Sequence, residues 1–281
     1  MVSPPSVSAV VVDYRAGEAL TRCVASLRAN GVTDIIVVDN DESVPPGTDA
    51  DGALTVVHTG VNLGYGRGVN RGAAVARGEY LVISNPDVVV HEGAVEALVA
   101  HLDSHPEVGI LAPRIERPDG TLYPSHRVFP HVALAGAHAL LAPFWPGNPA
   151  TRRYRSTRRD GTVDWVSGAF FVLRRDVFEL VGGFDERFFM FAEDMDLCWR
   201  VRERGLSVAA LDEAVVTHVE GLSRRHASRA MLVAHHESAL RFEAYHARGA
   251  RRLLVPVAAL VLGVRLVLAL AGVGKEARGV E

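Results

Sequence analysis

Val7-Ser8-Ala9-Val10-Val11-Val12-Asp13 is a short apolar run, rich in β-branched residues, that ends on a carboxylate. Such a run is typical of a strand buried on both faces, as in a parallel sheet. The runs 34–39 and 80–84 repeat the pattern, and acidic or amide side chains follow each of them. Because open parallel sheets bind ligands at the carboxyl ends of their strands, we expect the functional site at this edge.

Helical and extended patterns alternate through the N-terminal part of the chain. The patterns predict strands at 7–13, 34–39, 54–58 and 80–84, and helices near 19–28, 68–77 and 93–104. Fully apolar strands in this order indicate an α/β fold with a mainly parallel sheet. Further on, the patterns predict an irregular middle over 112–164, a strand over 163–174, a helix over 194–204 and an extended segment over 206–211.

The C-terminal part is predicted to be helical from about residue 228, and it contains the apolar segment 253–272. That length is sufficient to span a bilayer, but Pro256 and Arg265 inside the segment count against a simple transmembrane helix. Lying in the membrane interface, spanning the membrane and packing on protein all remain open. Arginines just before the segment favour contact with an anionic cytoplasmic leaflet, so membrane contact is the favoured expectation.

Composition excludes some kinds of chemistry. The net charge of −3 gives no general attraction to nucleic acid. Lys275 is the only lysine, so neither a P-loop nor a Schiff-base mechanism is available in the body of the chain. Cys23 and Cys198 are expected to be small buried residues rather than a disulfide. No signal-peptide pattern stands at the N-terminus, which favours a cytoplasmic location.

Two acidic segments are the strongest candidates for chemistry. Asn85-Pro86-Asp87 could bind Mg²⁺ or Mn²⁺ through its carboxylate, or it could simply form a turn. In Glu193-Asp194-Met195-Asp196, the first two acids fall in the first turn of a predicted helix, where the helix dipole stabilises carboxylates. Asp194 could also serve as a general base. Asp196 is placed for an ion pair with Arg200 four residues on.

Three weaker candidates accompany these acids. The glycine-rich segment 62–72 does not have the spacing of a dinucleotide loop, but it could hold a diphosphate or simply allow close helix packing. His218 could be a metal ligand or an ordinary buried histidine. Arg224 and Arg225, and the arginine-rich run 152–159, could contact phosphates or form solvated loops.

Taken together, the motifs resemble a known family. They are Val38-Asp39-Asn40, Asn62-x-Gly64, Asn70-x-Gly72, Asn85-Pro86-Asp87, Trp165-x-x-Gly168, Gly182-Gly183-Phe184-Asp185-Glu186 and Glu193-Asp194-x-Asp196. In order and spacing, over about 7–225, the chain is similar to the inverting glycosyltransferases of family 2, which have the GT-A fold. Further motifs, among them Tyr123-Pro124-Ser125 and His235-His236, resemble rhamnosyltransferases within that family.

The resemblance implies an architecture and a reaction. It implies a GT-A domain over 1–227, with a nucleotide-sugar part at 1–111 and an acceptor and catalytic part at 112–227, followed by a helical tail at 228–281. It implies transfer of L-rhamnose from dTDP-L-rhamnose to polyprenyl-diphosphate-linked N-acetylglucosamine in arabinogalactan linker synthesis, with Mg²⁺ or Mn²⁺. The expected place is the cytoplasmic face of the plasma membrane, with a homo-oligomer possible and no nucleic acid partner.

Roles for individual residues follow from the resemblance. Asp194 would be the base, supported by Glu193, and Asp87 would hold the metal with His218 as a further contact. Asn85 stands where many relatives carry a first aspartate of the metal motif. The expected nucleotide-sugar contacts are Asp13, Asp39, Asn62, Gly64, Asn70, Asn85 and Asp87, with Asp39 at the base. The expected acceptor or diphosphate contacts are Trp165, Gly168, Arg224 and Arg225.

Other functions remain as alternatives. A family 2 enzyme with another nucleotide sugar or a polysaccharide acceptor would share all these motifs. A sugar nucleotidyltransferase also uses acids and Mg²⁺, but Asp13-Tyr14-Arg15-Ala16-Gly17 lacks the glycine- and arginine-rich loop and lysine expected after its first strand. A non-catalytic membrane-associated binding protein is the most distant alternative, because it would not need the acidic set.

Overall fold

The computed structural model describes residues 6–44, 54–129, 141, 144–154, 162–219 and 229–276. In the N-terminal part, the elements are β1 Val7–Asp13, α1 Glu18–Ala29, β2 Asp34–Asp39, β3 Leu54–His58, α2 Tyr65–Ala73, β4 Tyr80–Ser84, β5 Val88–Val90, α3 Ala94–Ser104 and β6 Val108–Glu116. The remaining elements are β7 His126–Arg127, α4 Pro149–Tyr154, β8 Thr162–Val163, β9 Trp165–Val166, β10 Phe170–Arg174, α5 Arg175–Leu180, α6 Glu193–Glu203, β11 Ser207–His218, α7 Arg229–His246, the 3₁₀ helix Gly249–Leu254 and α8 Val255–Glu276.

The described strands form one large mixed sheet in the order β3-β2-β1-β4-β10-β6-β11-β5, with β8 on β11. Strands β3, β2, β1 and β4 are parallel to one another, and so are β6 and β11. Strand β10 runs antiparallel between β4 and β6. A separate two-stranded sheet pairs β7 with β9. The predicted α/β fold with a mainly parallel N-terminal sheet is confirmed.

The sheet is buried on both faces because its strands are apolar at every position. Val10 and Val12 point into the core on one face, and Ala9 and Val11 point into the core on the other. The first core includes residues of α2, α5 and α6, whereas the second includes residues of α1 and α3. Helices on both faces leave the carboxyl edge of β1, β2 and β4 open for a site.

The glycine-rich segment lets α2 lie directly on the sheet. A Cβ at Gly72 would overlap Val10 Cγ1 and lie 2.9 Å from Val38 Cγ2. A Cβ at Gly68 would lie 2.9 Å from Val12 Cγ1. Of the two interpretations of this segment, close helix packing therefore accounts for both glycines.

Two predicted strands have different bounds in the structure. The run 163–174 is not one strand, because it breaks at Asp164 and again at Ser167 before β10 begins. Asp164 donates its backbone N–H to Arg127 and accepts the N–H of Phe129. The extended segment predicted over 206–211 continues to His218 as β11, with an irregularity between Leu211 and Val215. Asp212 and Glu213 are exposed at that irregularity. They interrupt the apolar pattern, so the sequence did not indicate that the strand continues.

The C-terminal helices differ in how they contact the body of the protein. Helix α7 buries His236, Ser238, Phe242 and Glu243. The apolar segment Gly249–Leu270, in contrast, contains an 18-residue window with a mean hydropathy of 2.6, and only 6% of that window is buried. By length and composition alone it could cross a membrane, and it is the only such segment among the described residues. An exposed apolar helix of this kind fits the predicted membrane-associating tail.

Candidate active site

The carboxyl ends of β1, β2 and β3 bring three titratable side chains into one row. The strand register pairs Asp13 with Asp39, and Asp39 with His58. The Asp39 carboxylate lies 3.2 Å from His58 Nδ1 and accepts backbone N–H groups from the turn 41–44. Burial alone would raise the pKa of Asp39, but the N–H donors of that turn outweigh burial and lower it.

Asp13 is buried in a different electrostatic setting. Its carboxylate accepts the backbone N–H of Ala16 at 3.3 Å and the Ser43 hydroxyl at 3.2 Å. Burial, followed by the charge of Asp41, raises the pKa of Asp13 to about 6. Oxygens of Asp13, Asp39 and Asp41 lie within 4.8 Å of one another. This crowding of carboxylates gives the strand ends a capacity for a cation or for hydroxyl and N–H donors of a ligand.

Asn40, the residue after β2, holds the loop that leads into α2. Its side-chain oxygen accepts the Thr59 hydroxyl at 3.1 Å, and its amide donates to the Gly64 carbonyl at 3.3 Å. Asn62 closes the same loop by accepting the Gly64 N–H at 2.9 Å. Asn62 and Gly64 therefore shape this loop, and their direct contact with a nucleotide sugar stays a prediction.

The Asn70 side chain forms hydrogen bonds with the backbone of the Gly-Gly-Phe segment 182–184. Its amide donates to the Phe184 carbonyl, and its oxygen accepts the Phe184 N–H, both at 2.9 Å. A Cβ at Gly183 would lie 2.6 Å from the same oxygen. Asn70 thus fixes Gly183 and Phe184 to α2, which explains why an asparagine in one motif accompanies a glycine pair in another.

Asp87 and His218 meet at the far side of the site. Asp87 follows β4 and precedes β5, and β5 pairs with the end of β11, which carries His218. The Asp87 Oδ1 and His218 Nε2 atoms are 3.0 Å apart, and the Tyr123 ring lies edge-on at 5.2 Å from the imidazole. The predicted closeness of Asp87 and His218 is therefore present in the structure.

The Asp87–His218 pair has the geometry and chemistry to hold a divalent cation. Two neighbouring ligands of an octahedral cation, each at ~2.1 Å, lie about 3.0 Å apart. The observed Oδ1–Nε2 distance is 3.0 Å, and His218 Nδ1 is buried without a partner among the described residues. A carboxylate oxygen and an imidazole nitrogen are ordinary donors for such a cation. The residues present fit a divalent metal, which would lie between Asp87 Oδ1 and His218 Nε2 in place of the proton that they share.

Asp194 stands in the first turn of α6 and is held by backbone donors. Its Oδ2 accepts the Gly168 N–H and its Oδ1 accepts the Met195 N–H, both at 2.8 Å. The Gly168 carbonyl in turn accepts the Tyr65 hydroxyl at 2.5 Å. Burial raises the pKa of Asp194, while the two N–H donors and the charge of Arg127 act in the opposite direction.

Glu193, directly beside Asp194, is the more deeply buried acid of the pair. Its side chain is 6% exposed, and its Oε2 has no hydrogen-bond partner among the described residues. Burial, followed by the charge of Asp194, raises the pKa of Glu193 to about 8. Because Asp194 receives the N–H groups of Gly168 and Met195 while burial dominates at Glu193, a proton shared by the pair favours Glu193. This division suits Asp194 to act as a base.

The two acidic segments lie on either side of one short backbone stretch. Gly168 donates to Asp194, and the next residue, Ala169, accepts the Asn85 N–H at 2.8 Å. Asn85 is two residues from Asp87. Gly168 and Ala169 therefore connect the candidate base to the segment that carries the candidate metal ligand Asp87.

The predicted pairing of Asp196 is confirmed, and the structure adds a second partner. Asp196 Oδ2 accepts Arg200 Nε at 2.7 Å, four residues on in the same helix. Asp196 Oδ1 lies 2.8 Å from Nε2 of His246, at the end of α7. Because both oxygens are engaged, Asp196 is a structural carboxylate rather than a second base.

Trp165 is a core residue beside the site. Its side chain is buried, and its indole N–H donates to the Val128 carbonyl at 3.2 Å. The Arg127 guanidinium lies over the indole ring at 5.3 Å. Trp165 therefore supports Arg127, and an acceptor contact by Trp165 itself stays a prediction. Arg224 and Arg225 lie outside the described residues.

Sequence reasoning missed Tyr65, His58, Arg127 and His246. Tyr65 reaches Gly168, and burial, together with the charges of Glu193 and Asp194, raises its pKa well above the usual range. No local pattern marks these residues, since each acquires its partner from a distant part of the chain. The position of Tyr65 after Gly64, at the start of a helix, was the one available signal.

Two solved structures with the same fold contain a nucleotide and Mn²⁺. PcManGT, a mannosyltransferase from Pyrobaculum calidifontis solved with GDP-Man and Mn²⁺, is 16% identical, with a TM-score of 0.60 over 98% of this chain and 79% of that one. GalNAc-T7, solved with UDP, GalNAc and Mn²⁺, is 17% identical, with a TM-score of 0.59 over 78% of this chain and 44% of that one. These likenesses establish the GT-A fold.

Sequence comparison gives the family. The profile of glycosyl transferase family 2 matches residues 8–182. The chain is 37% identical to N-acetylglucosaminyl-diphospho-decaprenol L-rhamnosyltransferase of Mycobacterium tuberculosis H37Rv, over 82% of this chain and 81% of that protein. Pre-mycofactocin glycosyltransferase of the same strain is 29% identical, over 76% of this chain and 44% of that protein. This chain belongs to glycosyl transferase family 2, and it is a glycosyltransferase.

Proposed function

We propose that the protein moves L-rhamnose from dTDP-L-rhamnose to N-acetylglucosaminyl-diphospho-polyprenol, with inversion, in building the arabinogalactan linker of the cell wall. The observation that carries this proposal is the 37% identity, over four-fifths of both chains, to the mycobacterial enzyme whose name states that transfer. The site geometry supports it, because a single displacement needs one base and one stabilised leaving group.

Asp194 is the proposed base. A sugar hydroxyl is a weak nucleophile, so a carboxylate must take its proton as the oxygen attacks the anomeric carbon of the donor. The Gly168 and Met195 N–H groups aim the Asp194 carboxylate, and protonated Glu193 avoids a second negative charge beside it. The bond to the nucleotide diphosphate breaks as the new glycosidic bond forms, and the proton ends on Asp194.

Asp87 and His218 are the proposed holders of a divalent cation. A bound cation supplies neutralising charge for the departing nucleotide diphosphate. A pair of one carboxylate and one imidazole favours Mn²⁺ over Mg²⁺, since imidazole is the better ligand for transition metals. Asn85, two positions before Asp87, offers a neutral oxygen in place of a first aspartate. The metal site would therefore carry less protein charge than in relatives with two aspartates.

The nucleotide of the donor is proposed to bind at the ends of β1 and β2. Asp39, whose buried oxygens accept N–H groups of the turn 41–44, would hold that turn beside the base, and Asp13 would bound the same pocket. Asn62 and Gly64 would form its floor, with Asn70 acting through the Phe184 backbone. The position of these residues at the carboxyl ends of β1 and β2 supports this placement, because open α/β sheets bind their ligands at that edge.

The acceptor is proposed to bind on the other side of Gly168. Trp165 and Gly168 would line this side, and Arg224 and Arg225 would meet the acceptor diphosphate. The exposed apolar helix α8 supports a lipid-linked acceptor, because it provides contact with the membrane where such an acceptor resides. We place the enzyme at the cytoplasmic face of the plasma membrane, with homo-oligomerisation as a further possibility for this family member.

A donor panel tests the proposal. Purified protein would be given dTDP-rhamnose, UDP-sugars or GDP-sugars together with a synthetic prenyl-diphosphate N-acetylglucosamine, with Mn²⁺, with Mg²⁺ or with EDTA. We expect rhamnosylated lipid from dTDP-rhamnose, faster with Mn²⁺, and none with EDTA. Transfer from a UDP- or GDP-sugar instead would show another family 2 specificity. No nucleotide release from any donor would support a non-catalytic protein.

A further inference from the structure

Helix α7 rests on the segment that precedes the catalytic helix. The Ser238 hydroxyl donates to the Met190 carbonyl at 2.8 Å, and the Arg241 guanidinium donates to the Arg187 carbonyl. The His235 ring lies edge-on to Phe191 at 5.1 Å. Every contact in this set is made to residues 187–191, only a few positions before Asp194.

Two residues of the segment 187–192 have a backbone conformation that residues other than glycine rarely adopt. Phe191 has φ of 68° and Ala192 has φ of 64°, the left-handed region that disfavours a side chain. A side chain in this region strains the backbone, so the conformation persists only when its surroundings hold it. The Ala192 carbonyl accepts the Asp196 N–H at 2.9 Å, so this turn sets where α6 begins.

The C-terminal end of α7 contacts the first turns of α6 from the other side. His246 Nε2 is 2.8 Å from Asp196 Oδ1, and the His246 ring packs on Trp199 at 4.8 Å. His246 is 11% exposed and Asp196 is 2% exposed. Since a carboxylate only accepts, the imidazole donates through Nε2. Asp196 is two residues beyond the proposed base.

On the opposite side, the body of the protein holds the segment and the base. The Phe189 carbonyl accepts the Tyr65 N–H at 3.1 Å, and the Tyr65 hydroxyl reaches the Gly168 carbonyl. The start of α6 is therefore clamped between α2 and α7. Only the α7 half of this clamp belongs to the C-terminal tail.

We propose that Ser238 and His246 are positioning residues, by which α7 sets the place of the Asp194 carboxylate. Ser238 holds the left-handed turn before Asp194, and His246 holds Asp196 after it. The inference rests on the proposed role of Asp194 as base. It assigns the C-terminal tail a part in the chemical step, in addition to any contact with the membrane.

The test uses single variants of the full chain in single-turnover and steady-state transfer assays. His246→Leu leaves Asp196 Oδ1 buried without its donor, and Ser238→Ala frees the Met190 carbonyl. A displaced base slows transfer while leaving the donor site intact, so we expect kcat to fall about 10-fold or more for His246→Leu, with donor KM unchanged. We expect Ser238→Ala to lower kcat several-fold. His246→Gln keeps an N–H donor at a similar reach, and it should restore kcat to within about 3-fold of wild type.

Glu243→Gln is the matched control. Glu243 lies on the same helix, is 7% exposed and pairs with Arg251 at 3.0 Å, away from the segment 187–196. It should lower the melting temperature as His246→Leu does, yet keep kcat. An equal loss of kcat in Glu243→Gln, or no rescue by His246→Gln, would overturn the positioning role. These outcomes compare variants with an active wild type, whereas failure of the proposed function would appear as an inactive wild type.

Discussion

At the residue scale, two adjacent carboxyl groups acquire different hydrogen-bond surroundings. Asp194 receives two backbone N–H donors, whereas Glu193 is buried with one oxygen unpartnered among the described residues. The sequence places both acids in one helical turn, where the helix dipole favours them equally. Their difference comes from Gly168, a residue on a separate strand-loop segment. A base and a neutral neighbour can therefore arise from two acids that local sequence treats alike.

Asp194→Asn should abolish transfer and keep donor binding. The amide cannot accept the proton of the attacking hydroxyl, while its oxygen can still accept the Gly168 N–H and preserve the fold. We expect kcat to fall about 10²- to 10⁴-fold, measured with dTDP-rhamnose and the lipid acceptor. Donor affinity by calorimetry should match wild type. A variant that transfers at the wild-type rate would exclude Asp194 as the base.

Glu193→Gln should change how stability depends on pH. The pKa of Glu193 is raised from 4.5 to about 8 in the folded protein. Below pH 4.5 the buried acid is neutral in both states, so it costs no stability. Between pH 4.5 and about 8 the unfolded chain loses this proton and the folded chain keeps it, so stability falls as pH rises. Gln is neutral throughout and removes this loss.

Thermal unfolding at pH 5, 6.5 and 8 measures that difference. The melting temperature of Glu193→Gln should exceed that of wild type by a margin that grows with pH. Glu96→Gln, at an exposed position of α3, provides the control and should show no such trend. A constant difference across the three pH values would mean that Glu193 is ionised when folded.

His218→Asn should weaken the binding of the Mn²⁺ that the transfer reaction requires. Loss of one of two proposed protein ligands should raise the Mn²⁺ concentration for half-maximal activity by about 10-fold or more. Binding can be followed independently by the electron paramagnetic resonance signal of free Mn²⁺. His91→Asn is the control, because His91 contacts Thr217, the neighbouring residue on β11, at 2.8 Å. Equal effects of both variants would argue against His218 as a ligand.

At the scale of elements, the start of α2 is fixed by the absence of a side chain. Gly64 has φ of 82°, and a Cβ there would overlap the Phe189 carbonyl oxygen and lie 2.9 Å from its carbonyl carbon. The helix start and the segment before Asp194 can approach each other only because position 64 is glycine. The Asn-x-Gly motif therefore serves the base through contact between two backbones.

Gly64→Ala should destabilise the protein more than Gly120→Ala does. Gly120 has φ of 78° with open space around its Cβ position, so alanine there pays only the backbone cost of about 1 kcal/mol. At Gly64 the overlap adds to that cost, and we expect a loss of more than ~2 kcal/mol in urea unfolding. We also expect loss of transfer activity in Gly64→Ala alone. Similar losses of unfolding free energy in the two variants would show that the Phe189 backbone moves at little cost to make room for the added Cβ.

Apolar runs made the strands of the parallel half predictable. Strands β1 to β4 were predicted at their observed bounds because each is a continuous apolar run between polar residues. Strands β5, β8 and β9 were not separated, since they contain two or three residues and obtain their pairing from distant strands. The predicted irregular middle over 112–164 was wrong at its start, because β6 continues to Glu116. Helix α2 begins at Tyr65, earlier than predicted, because its glycines obscured the helical pattern while tertiary packing overrode their poor propensity.

The candidate site was predictable only in part, for a related reason. Asp87, His218 and Asp194 stand in recognisable local patterns, and the structure brings Asp87 to His218 as expected. The donors that hold Asp194, and the His246 contact to Asp196, depend on residues far away in the chain. Gly168 and His246 could not be identified as the partners of Asp194 and Asp196 without the fold, because the local sequence around a glycine or a histidine does not say which distant residue it contacts.

At the scale of the whole molecule, the exposed apolar tail should govern membrane association. Leu260 and Leu268 of α8 are 69% and 66% exposed. Replacing both with Glu should strongly reduce co-flotation with anionic vesicles, because charges within an apolar helix oppose burial in lipid. Val75→Glu, an exposed apolar position of the GT-A domain, is the control. Unchanged flotation of the double variant would assign α8 to a protein partner.

Strand β10 carries a consequence for how such enzymes can be recombined. It lies between β4 and β6 and pairs with residues 80–84 on one side and with Ile110 and Leu111 on the other, so a strand from the C-terminal half of the sheet is inserted between two strands that begin within the segment 1–111. The same strand follows Gly168, which aims the base. The segments before and after residue 111 therefore share one continuous sheet and cannot be exchanged independently of each other. A chimera joined near residue 111 must match β10 of one parent to β4 of the other, and a mismatch there would misplace the catalytic carboxylate before it altered the choice of sugar.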